Sequence, residues 1–162
     1  MRYKSRTSVF IMTGALVFLS TAMVPGLSFA DGQRTIVGAW RVSISGGLGT
    51  PPLPSWYQAL ATFTRDGGLI ETITDPLIGT GHGRWVETHR RQFAVTTLLF
   101  QFDATGVFVG TLKARANLTL DKAGDEFTSD KYLFEFFDRD GNLLTSGVGA
   151  AHGARIEVEP LP

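Results

Sequence analysis

The chain has 162 residues, 15 basic and 15 acidic side chains, 43% hydrophobic residues and no cysteine. Without cysteine it can carry neither a disulfide nor the lipid-modified cysteine of a bacterial lipoprotein. The even charge balance leaves no electrostatic basis for binding nucleic acid.

At the start, Arg2, Lys4 and Arg6 precede an apolar stretch from Val9 to Leu19, and Ser28-Phe29-Ala30 supplies the small residues that a signal peptidase reads. This predicts a secretory signal peptide over 1–30, cleaved after Ala30, and a secreted or periplasmic product. A membrane anchor needs about 20 apolar residues, whereas Thr13, Gly14, Ser20, Thr21 and Pro25 interrupt this run. Residues 31–162 then form one domain long enough to bury a core without staples. Three of the 15 basic residues leave with the signal peptide, so the remainder has 12 against 15 acidic and a formal charge of −3.

The next segments alternate. Residues 35–45 set Trp40, Val42 and Ile44 on one face of a strand. Residues 46–56 are rich in Gly and Pro and cannot continue a ladder; carrying Leu48, Leu53 and Trp56, they suit a lid over an opening. Strands follow at 57–64 and 69–74, joined by Arg65-Asp66-Gly67-Gly68, a hairpin signal. After an irregular connection at 75–83, strands are predicted at 84–89 and 91–102. The clearest pattern is 107–120: Phe108, Gly110, Leu112, Ala114, Ala116, Leu118 and Leu120 share one face, and Thr111, Lys113, Arg115, Asn117 and Thr119 the other. Asn117-Leu118-Thr119 matches a glycosylation sequon, but it lies inside this strand and is read as chance. The last strands are 126–137 and 143–158, the latter with Gly147, Gly149 and Gly153 allowing it to bend. Asp103-Ala104-Thr105-Gly106, Asp121-Lys122-Ala123-Gly124 and the segment from Asp138 to Asn142 share one turn chemistry.

Eight hairpin-linked strands with no helix pattern after residue 30 predict an all-β fold, an eight-stranded up-and-down antiparallel β-barrel. A two-sheet sandwich is the rival. An outer-membrane barrel would invert the faces, but the dry face of 107–120 holds Gly and Ala instead of an aromatic belt, and the chain ends in Pro160-Leu161-Pro162.

Several side chains are candidates for chemistry. If Trp85 faces inward, period two puts Glu87 and His89 on the same face, while His152 shares a face with Val148, Ala150, Ala154 and Ile156. Such a set could supply an acid and a base. The opposite register puts Glu87 and His89 in water. No close pair of His has metal-ligand spacing, so no metal is predicted. Asp138, Asp140 and Asn142 resemble the start of a calcium loop, but Gly141 is not at the sixth position and Gly149 stands where the twelfth-position Glu belongs. No nucleophile elbow, phosphate loop or dinucleotide fingerprint follows a strand, and no cofactor is expected. A ligand chamber would be lined by Trp85, Phe93, Phe108, Leu112, Tyr132, Phe134 and His152, with space left by Gly110, Ala114 and Ala116. The same small residues would equally serve to fill a taper.

Gly38-Ala39-Trp40 on the first strand, with Arg155 late in the chain, resembles the lipocalins and the wider calycin group. The chain is also similar in style to small exported bacterial proteins with calycin-like barrels. The Thr-Asp-Tyr turn signature of lipocalins is missing, since Thr128-Ser129-Asp130-Lys131-Tyr132 lies within a strand pattern, and so is their terminal helix. The resemblance implies that Gly38, Trp40 and Arg155 form a structural latch across one barrel end. It implies an exported barrel that binds a small hydrophobic molecule, with no nucleic acid partner and no integral membrane span. Two alternatives stay open: an enzyme of the cyclase or isomerase type using His152 or Glu87, and a filled barrel acting through its surface. Oligomeric state is not legible in the residues.

Overall fold

The computed structural model describes residues 35–46 and 56–161. The signal peptide expected over 1–30 and most of the lid expected over 46–56 lie outside them. The described residues form eight strands: β1 (Gly38–Ser45), β2 (Trp56–Phe63), β3 (Gly68–Ile73), β4 (Gly81–His89), β5 (Gln92–Phe102), β6 (Phe108–Leu120), β7 (Glu126–Asp138) and β8 (Leu143–Arg155). Each pairs antiparallel with the next, and β8 pairs back onto β1 through Trp40 with Arg155 and Ile44 with Ala151, so the sheet closes into a barrel without edges. β4 begins three residues earlier than expected, because Gly81 to Gly83 pair with β3 despite their weak strand character. Among the described residues no helix is long and apolar enough to cross a membrane.

The interior is mainly apolar, with Glu71, Thr97 and Ser129 as its buried polar side chains among the described residues. Trp40, Val42 and Ile44 from β1 meet Ala61 and Phe63 from β2, Phe93 and Leu99 from β5, and Leu112, Leu118 and Leu120 from β6. Lys113, Arg115 and Glu135 form an ion-pair cluster on the outer face, with Arg115 Nη2 at 2.9 Å from Glu135 Oε2. The return turns are capped in a common way. Asp121 Oδ1 accepts the backbone N–H groups of Gly124, Asp125 and Glu126, and Asp103 and Asp138 act likewise on Thr105 and Val107 and on Asp140 and Asn142. Asp138 is thereby committed to its own turn, and no group of three metal-ligating side chains exists among the described residues.

One end of the barrel is plugged. Trp40 is fully buried, donates its Nε1–H to the Ile36 carbonyl at 2.8 Å, and packs its ring 5.0 Å from that of Phe127. The Arg155 guanidinium lies 4.3 Å from the Trp40 ring centroid, a cation–π contact. It also donates to three carbonyls, of Gly124 at 2.8 Å, Val37 at 2.9 Å and Thr35 at 2.7 Å. A Cβ on Gly38 would come within 2.6 Å of Arg155 Nη1, so glycine is what lets the fork reach the backbone there. This ties the chain before β1 to the β6–β7 turn and to the last residue of β8. Lysine has a single side-chain nitrogen and cannot span three carbonyls that Arg155 meets with Nε, Nη1 and Nη2. We therefore expect Arg155→Lys to lower the unfolding free energy by about 2 kcal/mol, read from urea denaturation; an unchanged midpoint would show that the plug holds without the fork.

β8 is the correction to the expected register. Ala151 and Gly153 are buried and His152 is exposed, so Val148, Ala150, His152, Ala154 and Ile156 do not form the inner face. The cause is volume. A Cβ on Gly153 would lie 2.2 Å from the Phe127 ring, so the barrel at this level has room for one large ring and nothing opposite it. Gly153→Ala is expected to destabilise by about 1 to 3 kcal/mol, as overpacking does. Combining it with Phe127→Leu should recover part of that loss; a fully additive double-mutant cycle would refute the assigned contact.

Candidate functional site

Between the plug and the opposite rim the interior is not completely filled. An upper cavity of about 30 Å³ is walled by Ile44, Ile73, Leu99, Leu112, Ala114 and Phe134. It reaches the barrel end where Gly46, Tyr57, Ile78 and Phe136 stand, and together with the solvent open to it the empty space is about 470 Å³. The enclosed space alone has room for about one or two waters, and that limits a guest. A lower cavity of about 20 Å³ lies toward the plug, against Val42, Phe63, Leu69, Val95, Leu118 and Phe127.

Glu71 and Tyr132 line both cavities. Glu71 sits on β3 opposite Gly81 and is 5% exposed; Tyr132 sits on β7, across the barrel, and is 7% exposed. The Tyr132 hydroxyl donates to Glu71 Oε1 over 3.4 Å, a long hydrogen bond, and the buried Thr97 on β5 hydrogen-bonds the same carboxyl. Neither cavity is lined by Arg, Lys or His. Burial therefore pushes the Glu71 carboxyl above its usual range against the opposing pull of Thr97 and Tyr132. Burial, reinforced by Glu71, also drives the Tyr132 phenol well above 10.0. The site is a carboxyl and a phenol in apolar surroundings, each pushed toward its neutral form by burial.

The residues expected to line a chamber divide. Leu112, Tyr132 and Phe134 wall the upper cavity. Trp85 and Phe93 face inward but belong to the plug, their rings 5.7 Å apart, with Trp85 Nε1 donating to the Thr64 carbonyl. Phe108 is not in the chamber. A register shift at Gln101 and Phe102 turns it out, where it packs 5.5 Å from the exposed Phe100. The expected acid and base residues also lie outside. Glu87 is exposed and its carboxylate caps the β4–β5 turn at Arg91, a residue in the left-handed region. His89 lies beyond a register shift at the rim, exposed. His152 has half its side chain in solvent, 3.6 Å from Glu126. Glu71 was missed because its neighbours Ile70, Thr72 and Ile73 leave both faces of a six-residue strand plausible. The available signal was its period-two relation to Leu69 and Ile73, both partly or wholly buried.

Compared with protein-family models and with curated proteins, the chain matches none.

The buried carboxyl dictates a pH response whose sign is fixed. Below the ordinary value of 4.5, Glu71 holds its proton folded and unfolded alike. As pH rises, the unfolded chain releases the proton first, so stability falls until the folded carboxyl itself ionises. Glu71→Gln should lack this decline and gain stability over the wild type as pH rises above 4.5. Urea midpoints on either side of that value check it; parallel curves for the two proteins would mean that Glu71 is not held protonated.

Proposed function

We propose that this protein binds a small, mainly apolar molecule in the upper chamber of its barrel. The observation that carries this reading is the asymmetry of the interior: one end is sealed by Trp40, Phe127 and Arg155, while toward the other lies a mainly apolar cavity that a polar pair also lines. A core that existed only to be stable would replace Glu71 and Tyr132 with apolar side chains, since burying the carboxyl works against folding at neutral pH. The Gly-x-Trp on β1 with Arg155 stacked on the indole adds a likeness to the calycin barrels, in which an interior ligand site is the usual use of the fold. The export signal expected over 1–30 fits a carrier that acts outside the cytoplasm. Binding comes from apolar contact at about 25 cal/mol per Å², and the narrow free space limits the buried part to a slender group, with the mouth residues Tyr57, Ile78 and Phe136 yielding to admit it. Catalysis by His152, Glu87 or His89 has no support from their exposed positions.

Methyl-detected NMR with n-heptane as an apolar probe tests the reading. Shifts should concentrate on Ile44, Ile73, Ile78, Leu112 and Ala114. Ala114→Phe, which fills the chamber from β6, should abolish them. Shifts spread over the outer face, or unaffected by the filled variant, would overturn the proposal. Native mass spectrometry of protein recovered without detergent is expected to show an added mass that disappears on denaturation.

A further inference from the structure

We propose that the natural ligand of the upper chamber carries a single carbonyl group, and that Glu71 and Tyr132 together hold its oxygen at the chamber floor. This rests on the binding reading above and names the chemical class it selects. Three observations carry it. First, the two polar groups arrive from opposite walls, β3 and β7, and meet where the two cavities adjoin, so both are presented to the deepest point that a guest can reach. Second, their mutual contact is long at 3.4 Å, so exchanging it for bonds to a guest forfeits little. Third, the walls around them hold no cation.

The chemistry then narrows the guest. Burial with no cation in the cavity walls favours the protonated Glu71 carboxyl, which has one O–H donor as the phenol has, so the two residues that line both cavities can present two donors to a guest. A carbonyl oxygen has two lone pairs and no donor, which matches that pair. A ligand carboxylate would add a second acid group to a site with no positive side chain, and its charge would be buried unpaired. An ammonium would require Glu71 to ionise in the apolar interior, where desolvation of both charges offsets much of their attraction. A hydrocarbon would gain only apolar contact and would leave the polar pair to itself. The same combination, a carboxylic acid kept neutral by an apolar site beside a tyrosine hydroxyl, is a known way to hold an oxygen on which negative charge gathers.

The test uses four probes of one size on the wild-type protein: 2-heptanone labelled with carbon-13 at the carbonyl, n-heptane, heptanoate and 2-aminoheptane. The ketone is expected to bind about tenfold more tightly than the alkane, one hydrogen bond's worth of preference. Its carbonyl carbon resonance should move downfield in the complex. Glu71→Leu should remove that preference and the downfield shift while n-heptane still binds. Tyr132→Phe, which keeps the ring, should reduce both and serves as the second variant should Glu71→Leu fail to fold. Tightest binding by the amine, or by heptanoate, would overturn the carbonyl assignment in favour of an ion pair or an unrecognised cation. Equal binding of ketone and alkane would overturn it while leaving the apolar chamber standing. Failure of every probe, the alkane included, would overturn the binding reading itself and this inference with it.

Discussion

Interior volume is the constraint on which the rest of this structure depends. Eight strands enclose a cross-section wide enough for side chains and little more, and the ring closes only because β8 contributes Ala151 and Gly153 where its neighbour β7 contributes Phe127. Large residues on β8 are therefore turned outward, His152 among them. The same economy operates at Gly38, where the missing side chain admits Arg155 to the backbone carbonyls of Thr35 and Val37. Closing and plugging the barrel are thus one event: the last residue of the last strand holds the segment that precedes the first.

What remains of the interior is polarised along the barrel. Aromatic rings fill the plugged end, with Phe63, Trp85, Phe93 and Phe127 in edge or tilted contacts around Trp40. At the other end aliphatic and small side chains, Ile44, Ile73, Leu99, Leu112 and Ala114, share the cavity wall with Tyr57, Phe134 and Phe136. Glu71 and Tyr132 mark the boundary. Their placement is costly for folding and is satisfied only by each other and by Thr97, which is the pattern of polar groups that functional sites retain against stability.

Titration divides along the same line between surface and interior. At the turns, carboxylates are held below their ordinary range: Asp103 chiefly by the Thr105 hydroxyl, Asp138 chiefly by the Asn142 side chain, and Asp121 by four backbone N–H groups that outweigh its desolvation. These support the fold above their unfolded values and lose that support as pH falls through the folded ones. Glu71 works in the opposite sense. Acid therefore weakens the hairpin turns while it relieves the buried carboxyl, two effects that act on separate parts of the molecule.

Much of the architecture was legible in the chain because alternation in 107–120 and the repeated Asp-to-Gly turns are local signals, written in neighbouring residues. The strand number, the hairpin order and the inward Trp40 follow from those. Which face of β8 looks inward did not, since choosing Gly153 over His152 requires knowing that Phe127 stands opposite. Nor did the inward placement of both Phe127 and Tyr132, which have opposite parity on one strand. A register shift between Ser129 and Tyr132 reconciles them, and nothing local announces it. A similar irregularity at Phe102 expels Phe108. The candidate site was only half visible for the same reason. Tyr132, Leu112 and Phe134 were expected near a chamber, but Glu71 is 61 residues from its phenolic partner, and pairing across a barrel is decided by closure of the ring. Local pattern determined the strands and their order; packing volume, bulges and closure decided which side chains share the interior.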